Sequence, residues 1–156
     1  MKIKNWFLFI FVAVTSINFA QNNRIYQAER EKTHTLIHTK LKVDFNFEAK
    51  QLNGEAWVTA KPHFYATNTF VLDAKSMLIH EISLKGTALP YDYDDYRITV
   101  KLPRKYNKEE KFTIYIKYTA RPEKVKEKGS NAITSAKGLY FINADGADKN
   151  KPTQIW

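Results

Sequence analysis

The sequence has 156 residues, no cysteine and a formal net charge of +9. Without cysteine, disulfide frameworks and cysteine-based nucleophiles or zinc sites are excluded, so stability must come from an apolar core and strand pairing. The positive charge is spread along the chain, and its densest run, RPEKVKEKG, is interrupted by Glu123 and Glu127. No recognition-helix, RNA-binding aromatic or zinc-finger pattern accompanies the charge, so we expect no nucleic-acid partner.

The first twenty residues have the pattern of a secretory signal peptide. Lys2 and Lys4 precede the apolar run WFLFIFVAV, and the small residue Ala20 precedes Gln21. This pattern predicts cleavage between Ala20 and Gln21 and a secreted or periplasmic protein with no stable membrane span. An uncleaved anchor is the alternative, although the run is short for a bilayer. We assign residues 1–20 to the signal peptide, 21–33 to an N-terminal extension and 34–156 to one domain.

Alternation of apolar and polar residues dominates the rest of the chain and is typical of β-strands. The first apolar row predicts a long, half-buried strand and consists of Ile37, Thr39, Leu41, Val43, Phe45 and Phe47. An Asn-Gly turn at Asn53 and Gly54 is expected to return the chain into a second, antiparallel strand. Pro62 is expected to end that strand because it has no N–H to donate.

Shorter alternating runs follow, among them TFVLDA, MLIHEISLKG and two runs that flank the acidic stretch YDYDDY. We expect Pro103 to end the strand that carries Ile98 and Val100, and Phe112 to start the next one. Residues 121–136 have the composition of an exposed loop, and GLYFIN after it predicts one more short strand. About seven short strands at this spacing predict an all-β domain, an antiparallel β-sandwich.

The dipeptide His80-Glu81 begins like the zinc-binding helix of many metallopeptidases. That motif needs a second histidine four places after the first, where Leu84 stands, because only such a pair shares one helical face. On a strand, His80 and Glu81 would point to opposite faces. We therefore expect no zinc site at this dipeptide.

The other residues that could carry chemistry form no recognisable constellation. The histidines are dispersed, no serine stands in a GxSxG elbow, and the acidic stretches lack the ligand spacing of a calcium loop. We therefore assign no catalytic, substrate-binding or metal residue in this chain. The acidic stretch YDYDDY is predicted to form a solvated turn. The residues considered are His34, His38, His63, Ser76, Ser83, Ser130, Ser135, Asp92, Asp94, Asp95, Asp145 and Asp148.

Five segments, taken in order, carry a family resemblance: LIHTKLKVDFNFEAKQLNGEAWVTAKP, FVLDAKSMLIHEISLKGTALPYDY, ITVKLP, FTIYIKYTARP and KGLYF. Together they resemble the N-terminal domain of the aminopeptidase N family of zinc metallopeptidases, over residues 33–156. The resemblance implies a saddle-like β-sandwich that packs against a thermolysin-like catalytic domain. The family's GxMEN strand and His-Glu-x-x-His helix are not in this sequence.

The resemblance therefore implies the non-catalytic front of an exported zinc aminopeptidase, incomplete after Trp156 and inactive alone. Zinc and peptide substrates are implied for the full-length enzyme, with no cofactor in this chain and its own catalytic domain as the partner. We expect an exposed apolar patch near the C-terminal segment. The alternative is a stand-alone secreted β-sandwich module that binds a glycan or a protein partner through clustered aromatic side chains. The candidates are Trp57, Tyr65, Tyr91, Tyr93, Tyr115 and Tyr118, for which core or interface packing is the favoured use.

Overall fold

The computed structural model describes residues 31–126 and 136–156, and Lys32–Trp156 form a compact unit of their own. The predicted signal peptide, nearly all of the N-terminal extension and the middle of the loop at 121–136 lie outside the described residues. No helix in the described part is long and apolar enough to cross a membrane. The strands are β1 (His34–Asn46), β2 (Gln51–Pro62), β3 (Thr67–Asp73), β4 (Met77–Leu84), β5 (Thr87–Ala88), β6 (Tyr91–Tyr93), β7 (Arg97–Tyr106), β8 (Phe112–Ala120), β9 (Phe141–Ile142) and β10 (Gln154–Ile155), with a 3₁₀ turn at Pro122–Lys124.

The strands form two larger sheets and one small hairpin, and each described pair is antiparallel. The first sheet has the order β1-β2-β8-β4-β5 and the second has the order β3-β7-β6, while β9 and β10 pair with each other. Neighbours in the five-stranded sheet include strands far apart in sequence, such as β2 and β8. The predicted all-β, antiparallel sandwich is confirmed.

One apolar core lies between the two larger sheets. We call the side of the five-stranded sheet that faces this core its inner face and the opposite side its outer face. The alternating rows of β2 and β8 place small and branched residues on the inner face, where they meet Phe70 of β3 and Ile98 of β7. The buried core residues are Ala56, Val58, Ala60, Phe70, Ala74, Ile82, Leu84, Leu89, Ile98, Val100, Leu102, Tyr106, Phe112, Ile114 and Ile116.

The turn between β1 and β2 differs from the predicted Asn-Gly turn. The chain reverses earlier, at residues 47–50, where the Asn46 side chain accepts a hydrogen bond from the Ala49 N–H at 2.8 Å and Lys50 adopts a positive φ of 51°. Asn53 and Gly54 lie within β2. Asn53 accepts a hydrogen bond from Thr119 on β8, and Gly54 lies under the Tyr118 ring. The Asn-Gly pair is therefore used for cross-strand packing.

Pro62 ends β2 as predicted, but Pro103 does not end its strand, and β7 continues to Tyr106. The pairing of β3 with β7 is irregular at this place, since Thr69 pairs with Lys101 and Thr67 pairs with Tyr106. A proline is tolerated in such a bulge because the missing N–H breaks no regular ladder bond.

The long first strand is present, but most of it is exposed and not half-buried. A bulge between Leu36 and His38 also changes the alternation, so Leu36 pairs with Ala60 while Ile37 has no partner on β2. Beyond the bulge, Leu41 and Val43 share the inner face with their β2 partners, as the pattern predicts. The strand is exposed because it lies at the edge of its sheet, where the three-stranded sheet does not cover it.

Candidate functional site

The inner face of the five-stranded sheet is buried at its centre and open at the β1 side. Ala60 and Ile114 at the centre are fully buried, whereas Leu41 on β1 is 57% exposed. Leu36, Val43 and Phe45, also on β1, are exposed large apolar side chains. A core that reaches solvent along one strand is a feature of surfaces that another polypeptide covers.

An apolar groove occupies this open side. A cavity of about 230 Å³ has buried floor residues such as Val58 and Ile116, and Leu36 and Leu41 form its rim. A second cavity of about 500 Å³ adjoins it and extends to Pro122. We call the two together the open groove. Both cavities are lined by Asp73, Met77 and Tyr118, so the groove is continuous.

The open groove is apolar in its first cavity and carries charged groups in its second. Its charged groups lie in the second cavity or at the boundary between the two, and include Lys75, Arg121 and Lys137, while the first cavity is lined mainly by aliphatic side chains. Burial raises the pKa of Tyr118, so its hydroxyl stays protonated at neutral pH. The groove therefore offers a shaped apolar surface. The sequence does not predict it, because the order of strands in the sheets decides which apolar side chains are covered.

The apolar surface also continues toward the C-terminal hairpin. Phe47, at the end of the β1 row, contacts Phe141 of β9 edge to face, with ring centroids 5.5 Å apart. Trp156 is 79% exposed beside this hairpin, where its backbone pairs with that of Tyr140. The predicted apolar patch near the C-terminal segment is therefore present in part, but the largest group of exposed apolar side chains in the described residues lies on β1.

A polar cavity of about 250 Å³ lies on the outer face of the same sheet. Glu55 accepts hydrogen bonds from Lys42 at 3.1 Å and from the Tyr115 hydroxyl at 3.1 Å. These two bonds hold the pKa of Glu55 below its ordinary value. A carboxylate that stays charged at neutral pH cannot donate a proton as a general acid, and its lowered pKa makes it a weaker general base. The cluster is a cross-strand ladder of charges that holds β1, β2 and β8 together.

The structure corrects the predicted orientation of His80 and Glu81. A bulge between Ile79 and Glu81 interrupts the alternation of β4, so Ile79 and Ile82 both face inward. His80 Nε2 and Thr119 Oγ1 are 2.9 Å apart, and Glu81 accepts a hydrogen bond from Ser83 at 2.9 Å. Both side chains therefore lie on the outer side of the sheet, and not on opposite faces.

The described residues do not fit a zinc ion. Within residues 31–126 and 136–156, no three or more His, Asp or Glu side chains lie close enough together to hold a metal. His34 is instead packed against the rings of Phe70 and Phe112, and burial lowers its pKa. His63 follows the last residue of β2, and its Nδ1 lies 2.8 Å from the Thr35 hydroxyl. His80 lies on another strand, β4.

The carboxylates of the acidic stretch stabilise their own turn. Asp94 accepts hydrogen bonds from the N–H groups of Arg97 and Tyr96, which lower its pKa. Asp95 accepts hydrogen bonds from the Tyr93 hydroxyl and from Ser76. These contacts connect the turn to the start of β4. The predicted turn is therefore present at Asp94 and Asp95, while Tyr91–Tyr93 of the same stretch form β6.

The remaining sequence candidates have structural contacts or lie outside the described residues. Asp148 accepts a hydrogen bond from the Asn150 N–H and forms an ion pair with Lys151, and Asp145 accepts one from the Ala147 N–H. Ser130 and Ser135 lie outside the described residues. No serine in the described part forms a hydrogen bond with a histidine.

The candidate aromatic residues are divided among different environments. Tyr93 and Tyr118 pack against the core, as the favoured interpretation has it. Trp57 lies on the outer face beside Tyr115, with Lys40 Nζ 5.0 Å from its ring centroid. Tyr65 lies in the exposed loop after β2.

The architecture has clear counterparts among solved structures. A two-domain M1 zinc metallopeptidase bound to L-tryptophan matches with a TM-score of 0.57 and 18% identity, over 69% of this chain and 25% of that one. This chain has a fold found in M1 zinc metallopeptidases. The M1 enzyme from Deinococcus radiodurans matches with a TM-score of 0.53 and 17% identity, over 57% of this chain and 21% of that one. Native yeast LTA4 hydrolase matches with a TM-score of 0.54 and 15% identity, over 71% and 16%.

These matches concern only a part of much longer proteins. The chain spans a quarter or less of the length of the three M1 structures. No protein-family model and no curated protein matches the sequence. At this level of identity the M1 likeness describes the fold, and it agrees with the family resemblance found in the sequence.

Proposed function

We propose that this chain is the non-catalytic N-terminal β domain of an exported zinc aminopeptidase and that its open groove packs against the catalytic domain of that enzyme. The observation that carries the proposal is the solvent-exposed apolar groove on the inner face of the five-stranded sheet. The M1 fold and the family resemblance supply the class of partner. Export is proposed from the signal-peptide pattern of residues 1–20.

Covering the groove would be energetically favourable. Leu36 and Leu41 are exposed at its rim, and full burial of a leucine side chain contributes roughly 1.5–3 kcal/mol. A partner domain that inserts apolar side chains between these leucines and Met77 would complete the core. The same contact would place the chain along one side of the peptide-binding cleft.

In this proposal the chemistry belongs to the partner domain. Zinc held by the partner domain would activate the attacking water. The present chain would hold that domain in position and form one wall of the peptide-binding cleft. The polar cluster of the outer face supports this division, because Glu55 is held in its charged form and the Tyr115 hydroxyl is engaged by it. The part of the open groove beside Leu36 and Leu41 is lined mainly by aliphatic side chains.

The alternative, a glycan-binding or protein-binding module, would need several aromatic rings on one surface. Exposed aromatic side chains in the described residues are instead spread over several elements: Phe45 in β1, Phe64 and Tyr65 in the loop after β2, Tyr91 in β6, Tyr96 before β7 and Trp156 after β10. The outer-face pair of Trp57 and Tyr115 is covered in part by Lys40. This distribution favours the packing domain.

Replacing Leu41 with aspartate in the full enzyme tests the proposal. A charge placed at the covered rim should lower kcat/KM for an aminoacyl substrate about tenfold or more, or separate the domains during thermal unfolding. Leu78→Asp is the matched control, because Leu78 is 44% exposed but lies on the outer face. Equal behaviour of the two variants, both folded by circular dichroism, would contradict docking at the groove.

A further inference from the structure

The free edge of β1, on the side away from β2, is the longest unpaired strand edge in the described part of the chain. β1 has 13 residues, and one side of it pairs with β2 from His34 to Asn46. No described strand pairs with the other side. The other edge strands are shorter: β3 has 7 residues, β6 has 3 and β5 has 2. The free edge of β1 therefore presents a long row of backbone N–H and C=O groups.

β1 also lacks most of the features that protect strand edges. Its sequence, HTLIHTKLKVDFN, contains no proline or glycine, and its one bulge lies near the beginning, between Leu36 and His38. From His38 to Asn46 the strand follows its β2 partner in regular register. Lysines on an edge oppose pairing unless the incoming strand carries acidic groups at matching places.

We propose that two copies of this chain pair through β1, antiparallel, with the two-fold axis at Val43. Residues whose numbers are equally distant from 43 then lie opposite each other. Lys42 lies opposite Asp44 of the second copy, and this ion pair occurs twice on the outer face. Leu41 lies opposite Phe45 on the inner face, also twice. The five-stranded sheets would continue into one sheet of ten strands.

The charges of β1 select this register over its neighbours. Moving the axis to Lys42 would place Lys40 opposite Asp44 twice but would oppose two copies of Lys42 between these pairs. Moving it to Asp44 would oppose two copies of Asp44 and leave Lys42 opposite Asn46. Directly opposed like charges destabilise antiparallel pairs, whereas opposite charges stabilise them. With the axis at Val43, the matched charges lie on the polar face and the matched apolar side chains lie on the face that carries the groove.

This association differs from docking at the open groove. It uses the backbone edge of β1, while the groove is formed by side chains of the inner face between Leu36 and Met77. Two copies joined through β1 would leave the cavity at Met77 and Pro122 open. Leu41 takes part in both surfaces, but Val43 and Asp44 lie outside the lining of the open groove, so variants at these two positions test the dimer separately.

Single cysteines test the register, because the natural sequence contains none. Opposed residues in antiparallel strands have Cβ atoms about 4.5–5.5 Å apart, within reach of a disulfide. We expect Val43→Cys in the full chain to form a covalent dimer under mild oxidation. Thr39→Cys is the matched control on the same face of β1, since its two thiols would lie about 27 Å apart along the strands.

Charge reversal on β1 tests whether the ion pairs between Lys42 and Asp44 of the two copies stabilise the dimer. Asp44→Lys should weaken dimerisation about tenfold in sedimentation velocity, because the introduced ammonium group would face Lys42 of the other copy twice. Adding Lys42→Asp should restore the dimer when every variant also carries Glu55→Gln, because Lys42 pairs with Glu55 of its own chain. Asp92→Lys is the control, since Asp92 pairs with Lys101 at 3.2 Å in the other large sheet.

A chain that sediments as a monomer at all concentrations would overturn the proposal. A dimer in which Val43→Cys and Thr39→Cys cross-link equally, or in which neither does, would also overturn it. A continued dimer in the presence of Asp44→Lys would exclude the charge-matched register. Circular dichroism of each variant checks that the fold is retained.

Discussion

Replacing Phe70 with alanine should lower the free energy of unfolding by about 3–5 kcal/mol. Phe70 lies in β3, is 1% exposed, and contacts Phe112 with ring centroids 5.3 Å apart. It also contacts the His34 ring at 5.0 Å, so its removal leaves a cavity between the two larger sheets. A domain of this size has about 5–15 kcal/mol of stability, so the loss would be a large part of the total.

Urea unfolding followed by circular dichroism measures this effect. Phe64→Ala is the matched control because Phe64 lies in the loop after β2 and is 67% exposed. We expect its free energy of unfolding to change by about 0.5 kcal/mol or less. Equal losses for the two variants would show that Phe70 does not belong to the core described here.

Gly54→Ala should destabilise the domain by about 1–3 kcal/mol, although alanine is usually tolerated in a strand better than glycine. A Cβ atom at position 54 would meet the Tyr118 ring, with Oη at 2.6 Å and Cε1 at 2.7 Å. Gly54 and Tyr118 are cross-strand partners on β2 and β8, so the ring has to move off the strand to make room.

A double-mutant cycle isolates this contact. In a Tyr118→Ala background, Gly54→Ala should cost little, because the clash is gone. The measurement is the free energy of unfolding of the wild type, both single variants and the double variant. A loss of the same size in both backgrounds would mean that the ring over Gly54 is not the constraint.

Alternation in the sequence predicts the strands well and predicts bulges poorly. The inner rows of β2 and β8 follow a strict period of two, and the predicted row from Phe112 to Tyr118 is confirmed. The bulges at Ile37 and at His80 each add a residue without a partner. Strict alternation therefore assigns the residues on one side of each bulge to the wrong face of the sheet. An inserted residue leaves no compositional mark in β1 or β4, and the pattern alone cannot place it.

The sequence pattern also misplaces Asn53, Gly54 and Pro103, because contacts between distant strands decide where these residues lie. Asn53 and Gly54 have the chemistry of a hairpin turn, but Gly54 is required under Tyr118, a residue 64 positions later in the chain. Pro103 has the chemistry of a strand end, but a bulge opposite β3 accommodates it. Local propensity is overruled in both places by contacts between strands that are distant in sequence.

The open groove could be predicted only in part. The apolar row of Leu41, Val43 and Phe45 is visible in the sequence and predicts a half-buried strand. Whether such a row is covered depends on which sheet edge the strand occupies, and the sequence pattern does not contain the strand order. The exposed row is the signal that favours a packing domain.

Aminopeptidase activity of the natural polypeptide that carries this chain tests the central claim most directly. An antibody against the described domain can isolate that polypeptide, and release of N-terminal amino acids can be measured before and after zinc chelation. We expect activity that a chelator stops and that added zinc restores. A folded natural polypeptide that carries the domain and releases no amino acid from any aminoacyl substrate in the presence of zinc would contradict the proposed function.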